Sequence, residues 1–246
     1  MLRKKRYKKI ILIPARSGSK RLKNKNILNV NNKKLIYFTI EQALRIKDID
    51  HVIVSTDSLN YAKIAKEYGA KVLYLRPNKI SKDASSDFDV FNFNENWINH
   101  NFNFYTDIYI HLRPTFPIRD VKHINEMIKI MERNFNKIDS VRSVIKSDLK
   151  LEKYYQINTF GFLKNNYSFI RKIKNNDFVG NQSDQSLSAW YKHNGNIDIF
   201  KAKLLKKKTI SGKKIFSFLQ NSEYDYDINT LEDFKKIKKK LISKYF

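Results

Sequence analysis

The chain has 246 residues, of which 41% are hydrophobic, and its formal net charge is +25. This length suffices for one large α/β domain, and the hydrophobic content argues against a chain that is disordered as a whole. The sequence contains no cysteine, which excludes disulfide bonds and thiolate metal sites.

The start of the chain is basic, but its pattern does not match a signal peptide. The apolar run that follows, residues 10–13, is four residues long and ends at Pro14. Such a run is too short for a signal-peptide core or a membrane span, and no later stretch reaches membrane-spanning length. We therefore expect a soluble, cytoplasmic protein with no membrane partner.

The large positive charge raises the question of a nucleic-acid partner. The lysines are scattered along the whole chain instead of being gathered on one element. Asparagine and isoleucine are abundant as well, which is the pattern that an A/T-biased coding sequence produces. We therefore attribute most of the charge to solvated surface, expect no nucleic-acid partner, and expect part of the charge to attract an anionic substrate.

The first predicted strand, residues 10–13, reads IILI and is typical of a strand buried on both faces. It runs into a polar loop at residues 14–26. The loop offers the backbone N–H groups of Ser17, Gly18 and Ser19 and the cations Arg16, Lys20, Arg21 and Lys25. At the end of a first strand such a loop is a candidate phosphate-binding loop, without the spacing of a Walker or dinucleotide-binding motif. On spacing alone, a solvated basic turn is an equally good interpretation.

Strands and helices then alternate through more than half of the chain. Strands are predicted at residues 51–55, 71–75, 107–112 and 140–144, and helices at 35–46, 60–68, 88–99 and 121–135. This order predicts an α/β fold with a mostly parallel, doubly wound sheet. Ligands of such sheets bind at the carboxyl ends of the strands, where the first loop, residues 56–58, Arg76 and residues 113–119 come together.

The alternation weakens between residues 150 and 189, which are rich in asparagine and aromatic side chains. We interpret this stretch as an insertion in a single domain of residues 1–246. Its aromatic side chains would serve subunit contact, although a small local core is an equally good interpretation. Two more strands follow at residues 196–200 and 214–218, and a last helix at 231–244 begins at a capping box of Thr230 and Asp233.

Six segments, taken together, resemble the motifs of the acylneuraminate cytidylyltransferases, the CMP-sialic acid synthetase family. In chain order they are residues 14–26, 54–58, 75–77 with 83–86, 112–119, 194–195 and 226–234. The resemblance implies a nucleotide-diphospho-sugar-transferase fold (GT-A-like, Rossmann-type). It also implies a homodimer whose subunits exchange a small inserted segment, here residues 150–189.

The implied reaction converts CTP and a nine-carbon sugar acid, a nonulosonic acid, into a CMP-sugar and pyrophosphate with Mg²⁺ as cofactor. The anomeric hydroxyl attacks the α-phosphorus of CTP. The residues at catalytic positions are Arg16, Lys20, Lys25 and Asp227. Those at nucleotide-binding positions are Ala15, Arg16, Ser17, Gly18, Ser19, Lys20, Asn26, Arg76, Ser85 and Ser86. Those at sugar-binding positions are Arg113, Thr115, Tyr191, Asn194 and Gly195, and the metal ligands are Asp227 with Asn229 or Asp225.

Two positions depart from the family pattern. Many members carry glutamine where this chain has Arg113, which could pair bidentately with a substrate carboxylate or indicate a different sugar. Asn229 stands in place of the second metal carboxylate and offers an amide oxygen without charge. Because Mg²⁺ prefers hard oxygen ligands, we expect Asp227 to be the main ligand.

Two alternatives remain open at this stage. One is the same chemistry on the eight-carbon acid 3-deoxy-manno-octulosonate, whose synthetases usually read Pro-Ala-Arg-x-x-Ser-x-Arg-Leu-Pro-Gly-Lys in the first loop. This chain has GSK at residues 18–20 and KN at 25–26 instead, which favours the nine-carbon substrate. The other is a basic nucleic-acid-binding relative with weakened catalysis, motivated by the net charge and by Asn229.

Overall fold

The computed structural model describes residues 6–154, 156–157, 159, 163–164, 183, 185 and 187–246. Most of the insertion predicted between residues 150 and 189 lies outside the described residues. Its role in subunit contact therefore stays a prediction. Within the described ranges, no helix combines the length and the apolar character needed to cross a membrane.

The chain forms ten strands and five α-helices within these described residues. The strands are β1 (Lys9–Pro14), β2 (Asn29–Val30), β3 (Lys33–Lys34), β4 (His51–Ser55), β5 (Ile108–His111), β6 (Ser140–Ser147), β7 (Gln156–Ile157), β8 (Leu163–Lys164), β9 (Trp190–Lys201) and β10 (Ile215–Gln220). The helices are α1 (Leu35–Leu44), α2 (Leu59–Glu67), α3 (Asp87–Phe102), α4 (Val121–Arg133) and α5 (Leu231–Tyr245).

The central sheet has six strands in the order β10-β6-β9-β5-β1-β4. β1 pairs in parallel with β4 and β5, and β10 pairs in parallel with β6. β9 runs antiparallel to both of its neighbours, β5 and β6. The predicted α/β fold with a mostly parallel sheet is confirmed, and β9 adds an antiparallel strand at its centre.

The apolar run in β1 is explained by helices on both faces of the sheet. Ile11 and Ile13 pack in a core cluster with buried side chains of α1, α2 and α4. Ile10 and Leu12 point to the other face and pack with side chains of α3. All four side chains are fully buried, so neither face of the strand accepts a polar residue.

The prediction of a third strand at residues 71–75 is wrong. This segment forms only two isolated bridges, between Ile53 and Lys71 and between Thr56 and Leu75. Between the bridges, Val72 packs against one core cluster and Leu73 against the other. The apolar pattern therefore reflects packing on both sides of the sheet edge without a continuous hydrogen-bonded ladder.

β9 is longer than the strand predicted at residues 196–200, because it extends back through the Asn194–Gly195 turn signal. The pairing register with β6 shifts between Arg142 and Val144, which is the mark of a bulge. Gly195 in the facing part of β9 has a φ of 73°, a conformation that favours glycine. In this part of β9 the Gly195 carbonyl accepts a hydrogen bond from Arg113, which lies in the loop that follows β5.

The caps of two helices lie next to the loops that carry the predicted site. Thr230 and Asp233 form the predicted capping box at the start of α5. Ser86 and Asp89 form a second capping box at the start of α3. The segment before α5 is tied to the loop after β5, because the Ile228 N–H donates to the Thr115 carbonyl at 2.9 Å.

Candidate active site

A cavity of about 520 Å³ opens at the carboxyl ends of β1 and β5. Three segments line it: residues 14–26 at and after the end of β1, residues 76–90, and residues 111–115 at and after the end of β5. Ligands of parallel α/β sheets bind at this edge, where the carboxyl ends of the strands meet. The candidate residues that line it are Arg16, Ser19, Lys20, Lys25, Asn26, Arg76, Ser85, Ser86, Arg113 and Thr115.

The cations of the first loop are held by contacts inside the protein. Arg16 and Lys20 both pair with the Asp83 carboxylate, at 2.5 Å and 2.9 Å. Arg21 donates to the Asn229 side-chain oxygen at 2.8 Å, and Lys25 donates to the Ile228 carbonyl at 2.7 Å. The first loop is thus joined both to the 76–90 segment and to the segment before α5.

The backbone of the first loop is less open than the sequence suggested. The Ser17 N–H donates to Asp57 Oδ1 at 2.8 Å, and the Ser19 N–H donates to the Ser17 carbonyl at 2.9 Å. Ala15 is buried and donates its N–H to the Ser55 carbonyl at 2.9 Å. The buried Asn26 side chain donates to the Arg16 carbonyl and so holds the loop closed. Side-chain cations are therefore the main feature that this loop offers to an anion.

Arg76 lies in the wall of the cavity and is only 5% exposed. Its Nε and Nη2 atoms are buried and have no hydrogen-bond partner in the part of the chain that the structure describes. Burial lowers the pKa of this guanidinium below its ordinary value. An unpaired buried donor costs about 1–3 kcal/mol, and more when it is charged, so a ligand whose acceptors reached these two atoms would relieve that cost.

Ser85 and Ser86 follow Arg76 in the cavity wall. The Ser85 hydroxyl accepts a hydrogen bond from the Lys82 N–H at 3.0 Å. The Ser86 hydroxyl caps α3 by accepting from the Asp89 N–H at 3.2 Å. Both side chains therefore shape the loop that carries them into the cavity, as well as lining it.

Only some of the predicted sugar-binding residues lie at the cavity. Arg113 and Thr115 line the cavity, and Gly195 lies next to them because its carbonyl accepts from Arg113 Nη1 at 2.8 Å. Asn194 is buried away from the cavity lining and bonds to Ser143 and Gln220. Tyr191 is 53% exposed on β9 and does not line the cavity either.

A buried group of charges beneath the cavity was not found from the sequence. Asp198 is fully buried and accepts hydrogen bonds from Arg113 at 2.8 Å and His193 at 2.7 Å. Arg142 completes the group with an ion pair to Asp198 at 2.9 Å. Burial opposes ionisation of Asp198, but these three neighbours hold its pKa far below the ordinary value. The one available signal was an aspartate inside an otherwise apolar strand, NIDIF at residues 196–200.

His111, at the end of β5, is fully buried in the cavity wall. Among the described residues, neither of its ring nitrogens has a hydrogen-bond partner. Burial and the charge of Arg113 lower the pKa of His111 to about 3. The imidazole is therefore neutral throughout the physiological range and cannot deliver a proton at neutral pH.

This lowered pKa makes stability depend on pH. Above about pH 6.5 the histidine is neutral in both states; below it, the unfolded chain takes up a proton that the folded chain refuses. We expect the free energy of unfolding to fall as the pH is lowered through this range, with His111 contributing about 3 kcal/mol of the loss at about pH 4.5. Urea unfolding of the wild type and of His111→Leu, each at about pH 6.5 and at about pH 4.5, measures the His111 contribution to this loss. Parallel pH profiles of unfolding free energy for the two chains would contradict this account of His111. The pKa of His51 is lowered as well, but His51 is present in both chains and so does not contribute to the difference between them.

The predicted metal ligands lie in the segment before α5. Asp227 Oδ2 accepts a hydrogen bond from the Asn229 amide nitrogen at 2.7 Å, whereas Asp227 Oδ1 is buried and has no described partner. The Asp225 carboxylate pairs with Lys192 at 2.8 Å. No group of three or more histidine, aspartate or glutamate side chains in the described ranges could by itself hold a metal ion. The structure therefore brings Asp227 and Asn229 together and engages Asp225 elsewhere.

Comparison with known proteins adds an independent finding. A family model described as cytidylyltransferase matches residues 10–241 of the chain. The chain is 35% identical to an N-acylneuraminate cytidylyltransferase of Escherichia coli O18:K1:H7, over 94% of this chain and 51% of that protein. It is 29% identical to the post-translational flagellin modification protein B of Campylobacter coli, over 91% of this chain and 90% of that protein.

The chain spans about half the length of the N-acylneuraminate cytidylyltransferases that it matches, 51% in the Escherichia coli protein and 52% in one from Streptococcus agalactiae. Among solved structures, it is similar to a CMP:2-keto-3-deoxy-manno-octonic acid synthetase complexed with CTP. The TM-score is 0.69 with 18% identity, over 96% of this chain and 99% of that one. At this identity the likeness supports the fold alone.

Proposed function

Because this chain belongs to the cytidylyltransferase family, we propose that it transfers the cytidylyl group of CTP to a nonulosonic, sialic-acid-like sugar acid and releases pyrophosphate. The relatives named as N-acylneuraminate cytidylyltransferases support this substrate class. A pseudaminic acid cytidylyltransferase of Campylobacter jejuni, 40% identical over 32% of this chain, supports it as well. The observation that carries the proposal is the cavity itself. Its lining includes both the cations of the first loop and the buried Arg76, two of whose donors have no described partner.

The cations of the first loop would bind the triphosphate. Arg16 and Lys20 now share one carboxylate, Asp83, which is 39% exposed and which the more highly charged phosphates would displace. Lys25 is more buried, and burial lowers its pKa while Asp227 opposes that shift. Charge-assisted hydrogen bonds from such groups strengthen when water is excluded, and this makes them effective on the phosphates of the transition state.

In the reaction, the anomeric oxygen of the sugar acid would form a bond to the α-phosphorus of CTP, while the bond from that phosphorus to the β-phosphate oxygen breaks. The electron pair of the broken bond stays with the leaving pyrophosphate, and the proton of the anomeric hydroxyl passes to water. The protein contributes mainly position and charge neutralisation in this kind of transfer. Arg16, Lys20 and Lys25 would neutralise the phosphates, and Thr115 lies in the wall on the Arg113 side.

We propose Mg²⁺ as the cofactor and Asp227 as its main protein ligand. The fit rests on Asp227 Oδ1, a buried carboxylate oxygen without a described partner. Asn229 donates its amide N–H to the other oxygen, so in this arrangement it orients the Asp227 carboxylate and is not itself turned toward a metal. When bound, the ion would supply neutralisation of phosphate charge. Asp225 would contribute only after leaving Lys192.

The wider setting follows from the same proposal. We propose a homodimer, with residues 150–189 in the subunit contact, and a cytoplasmic location, where CTP is available. The product would supply a glycosyltransferase that builds a cell-surface polysaccharide, a lipopolysaccharide or a flagellar glycan. The Campylobacter coli relative named for flagellin modification supports the last of these as one of the settings.

The test is incubation of the chain with CTP, Mg²⁺ and a panel of sugar acids, with mass-spectrometric detection of CMP-sugars and measurement of pyrophosphate. The panel holds N-acetylneuraminate, legionaminate, pseudaminate and 3-deoxy-manno-octulosonate. We expect a CMP-sugar with at least one of the three nine-carbon acids. Product from the eight-carbon acid alone would assign the alternative substrate. No product with any acid and no binding of CTP would overturn the proposal.

A further inference from the structure

Asp83 is an acidic side chain that lies among the cations of the cavity lining. Its Oδ1 atom pairs with Arg16 Nη2 at 2.5 Å, and its Oδ2 atom pairs with Lys20 Nζ at 2.9 Å. All three residues line the cavity. In the ligand-free chain, the Asp83 carboxylate therefore takes the place between two cations that a phosphate group of a ligand would take.

Both ends of the Arg16 guanidinium are engaged in this arrangement. Nη1 donates to the Gly18 carbonyl at 3.0 Å, within the first loop itself, whereas Nη2 reaches across to Asp83 in the 76–90 segment. A phosphate that approached the Nη2 end would lie beside the Asp83 carboxylate, and two anions at such a distance repel each other. The phosphate and Asp83 therefore compete for the same donors.

The Asp83 side chain can withdraw without opening the turn that carries it. It is 39% exposed, and no described residue other than Arg16 and Lys20 is hydrogen-bonded to its carboxylate. The turn is closed by other atoms: the Ser85 N–H donates to the Lys82 carbonyl at 3.1 Å, and the Lys82 N–H donates to the Ser85 hydroxyl at 3.0 Å. Rotation of one side chain into water is enough to release both cations.

The competition is present at neutral pH because Asp83 is ionised there. The hydrogen bonds from Lys20 and Arg16 hold the pKa of the Asp83 carboxyl below its ordinary value. Its negative charge thus persists over the whole pH range in which a nucleotide carries a charged triphosphate.

We propose that Asp83 is an internal counter-ion of the first loop, which pairs with Arg16 and Lys20 in the empty site, gives way to the triphosphate, and pairs with them again as pyrophosphate leaves. The inference rests on the proposed function. The exchange is one of ion pairs only, so no covalent bond forms or breaks and no proton moves. Its consequence is that the phosphate site holds its product less tightly than its cations alone would.

A ligand that uses both cations binds only the chains in which Asp83 has withdrawn. Its apparent affinity is therefore reduced by the fraction of chains in that state. This factor is the same for CTP and for pyrophosphate, since both engage the same two cations. It does not apply to cytidine, which carries no phosphate.

The test measures binding of CTP and pyrophosphate, each with Mg²⁺, to the full chain by titration calorimetry, and binding of cytidine by its displacement of CTP. Asp83→Asn keeps the size of the side chain and removes its charge. This variant should bind CTP and pyrophosphate more tightly by a common factor of roughly 2- to 30-fold, as expected for the loss of two exposed ion pairs. Its affinity for cytidine should be unchanged.

Two further variants separate the position of the charge from its loss. Asp48→Asn removes an exposed carboxylate at the start of β4, at the opposite end of the strand from the cavity, and asparagine suits its φ of 60°. It should bind all three ligands as the wild type does. Asp83→Glu keeps the charge at the site and should bind pyrophosphate more weakly than Asp83→Asn does.

Three results would overturn the inference. One is an Asp83→Asn chain that binds CTP and pyrophosphate no more tightly than the wild type, which would make Asp83 a support for the two cations. Another is a gain that cytidine shares, which would place the effect away from the phosphates. The third is a wild type that binds neither CTP nor pyrophosphate, which would overturn the proposed function as well; the first two leave that function standing.

Discussion

Replacing Arg76 by methionine is expected to abolish useful CTP binding and at the same time to stabilise the ligand-free chain. Two charged hydrogen bonds to the nucleotide would be lost, which corresponds to an affinity loss of roughly 10²- to 10⁴-fold. The free protein, in contrast, no longer buries a guanidinium whose Nε and Nη2 have no described partner. Removing that unsatisfied group should raise the free energy of unfolding by about 1–3 kcal/mol.

Titration calorimetry with CTP and urea unfolding of the ligand-free chain measure the two effects separately. Arg45→Met is a suitable control, because Arg45 is an exposed arginine whose 3.4 Å contact with Glu41 is a surface pair within one helix turn. Such pairs contribute about 0.3–0.5 kcal/mol, so this variant should bind CTP normally and be slightly less stable. An Arg76→Met chain that binds CTP as the wild type does would remove this arginine from the nucleotide site.

Replacing Asp227 by alanine is expected to lower the CTP-dependent turnover of a sugar acid by about 10³-fold, since a metal-stabilised charge in a transition state contributes several kcal/mol. The side chain offers the buried, unpartnered oxygen on which the proposed metal site rests. Binding of Mn²⁺ to the chain, followed by electron paramagnetic resonance, should weaken in parallel. This second measurement does not depend on catalysis.

The matched variant for this experiment is Asp225→Asn, two residues earlier in the same segment. Its carboxylate pairs with Lys192, whose side chain is 59% exposed, so its loss should change turnover only a few-fold. If Asp225→Asn lost Mn²⁺ binding and Asp227→Ala kept it, the ligand assignment would have to be reversed. If neither variant changed Mn²⁺ binding, the metal site would lie elsewhere.

The parts of the fold that follow from local sequence were predictable. The apolar run of β1 predicted a strand buried on both faces, and Thr230 with Asp233 predicted the start of α5; both are confirmed. The prediction of a strand at residues 71–75 was wrong because their apolar side chains pack on both sides of the sheet, although the segment forms only isolated bridges and no continuous ladder of hydrogen bonds. Local patterns also gave no reason to expect that β9 runs antiparallel between β5 and β6.

The site was predictable as a location and less so as a set of contacts. Strand ends placed Arg16, Lys25 and Arg76 in one region because the carboxyl ends of parallel strands meet at one edge. Pairing partners far apart in sequence did not follow from that rule. Arg113 reaches Asp198, 85 residues later, and the partner could be found only once β9 was placed beside β5. The family motifs contained no sign that Asp87 would be held by this arginine.

The central claim is that the cavity between the first loop and the start of α3 is a CTP site. Hydrogen exchange of the full chain with and without CTP and Mg²⁺, read by mass spectrometry, tests it most directly. The account predicts that CTP slows exchange in residues 14–26, 76–90 and 111–115, which line the cavity, and leaves β10 at the far edge of the sheet unchanged. Saturating CTP that leaves those three segments unprotected, or protects β10 in their place, would contradict it.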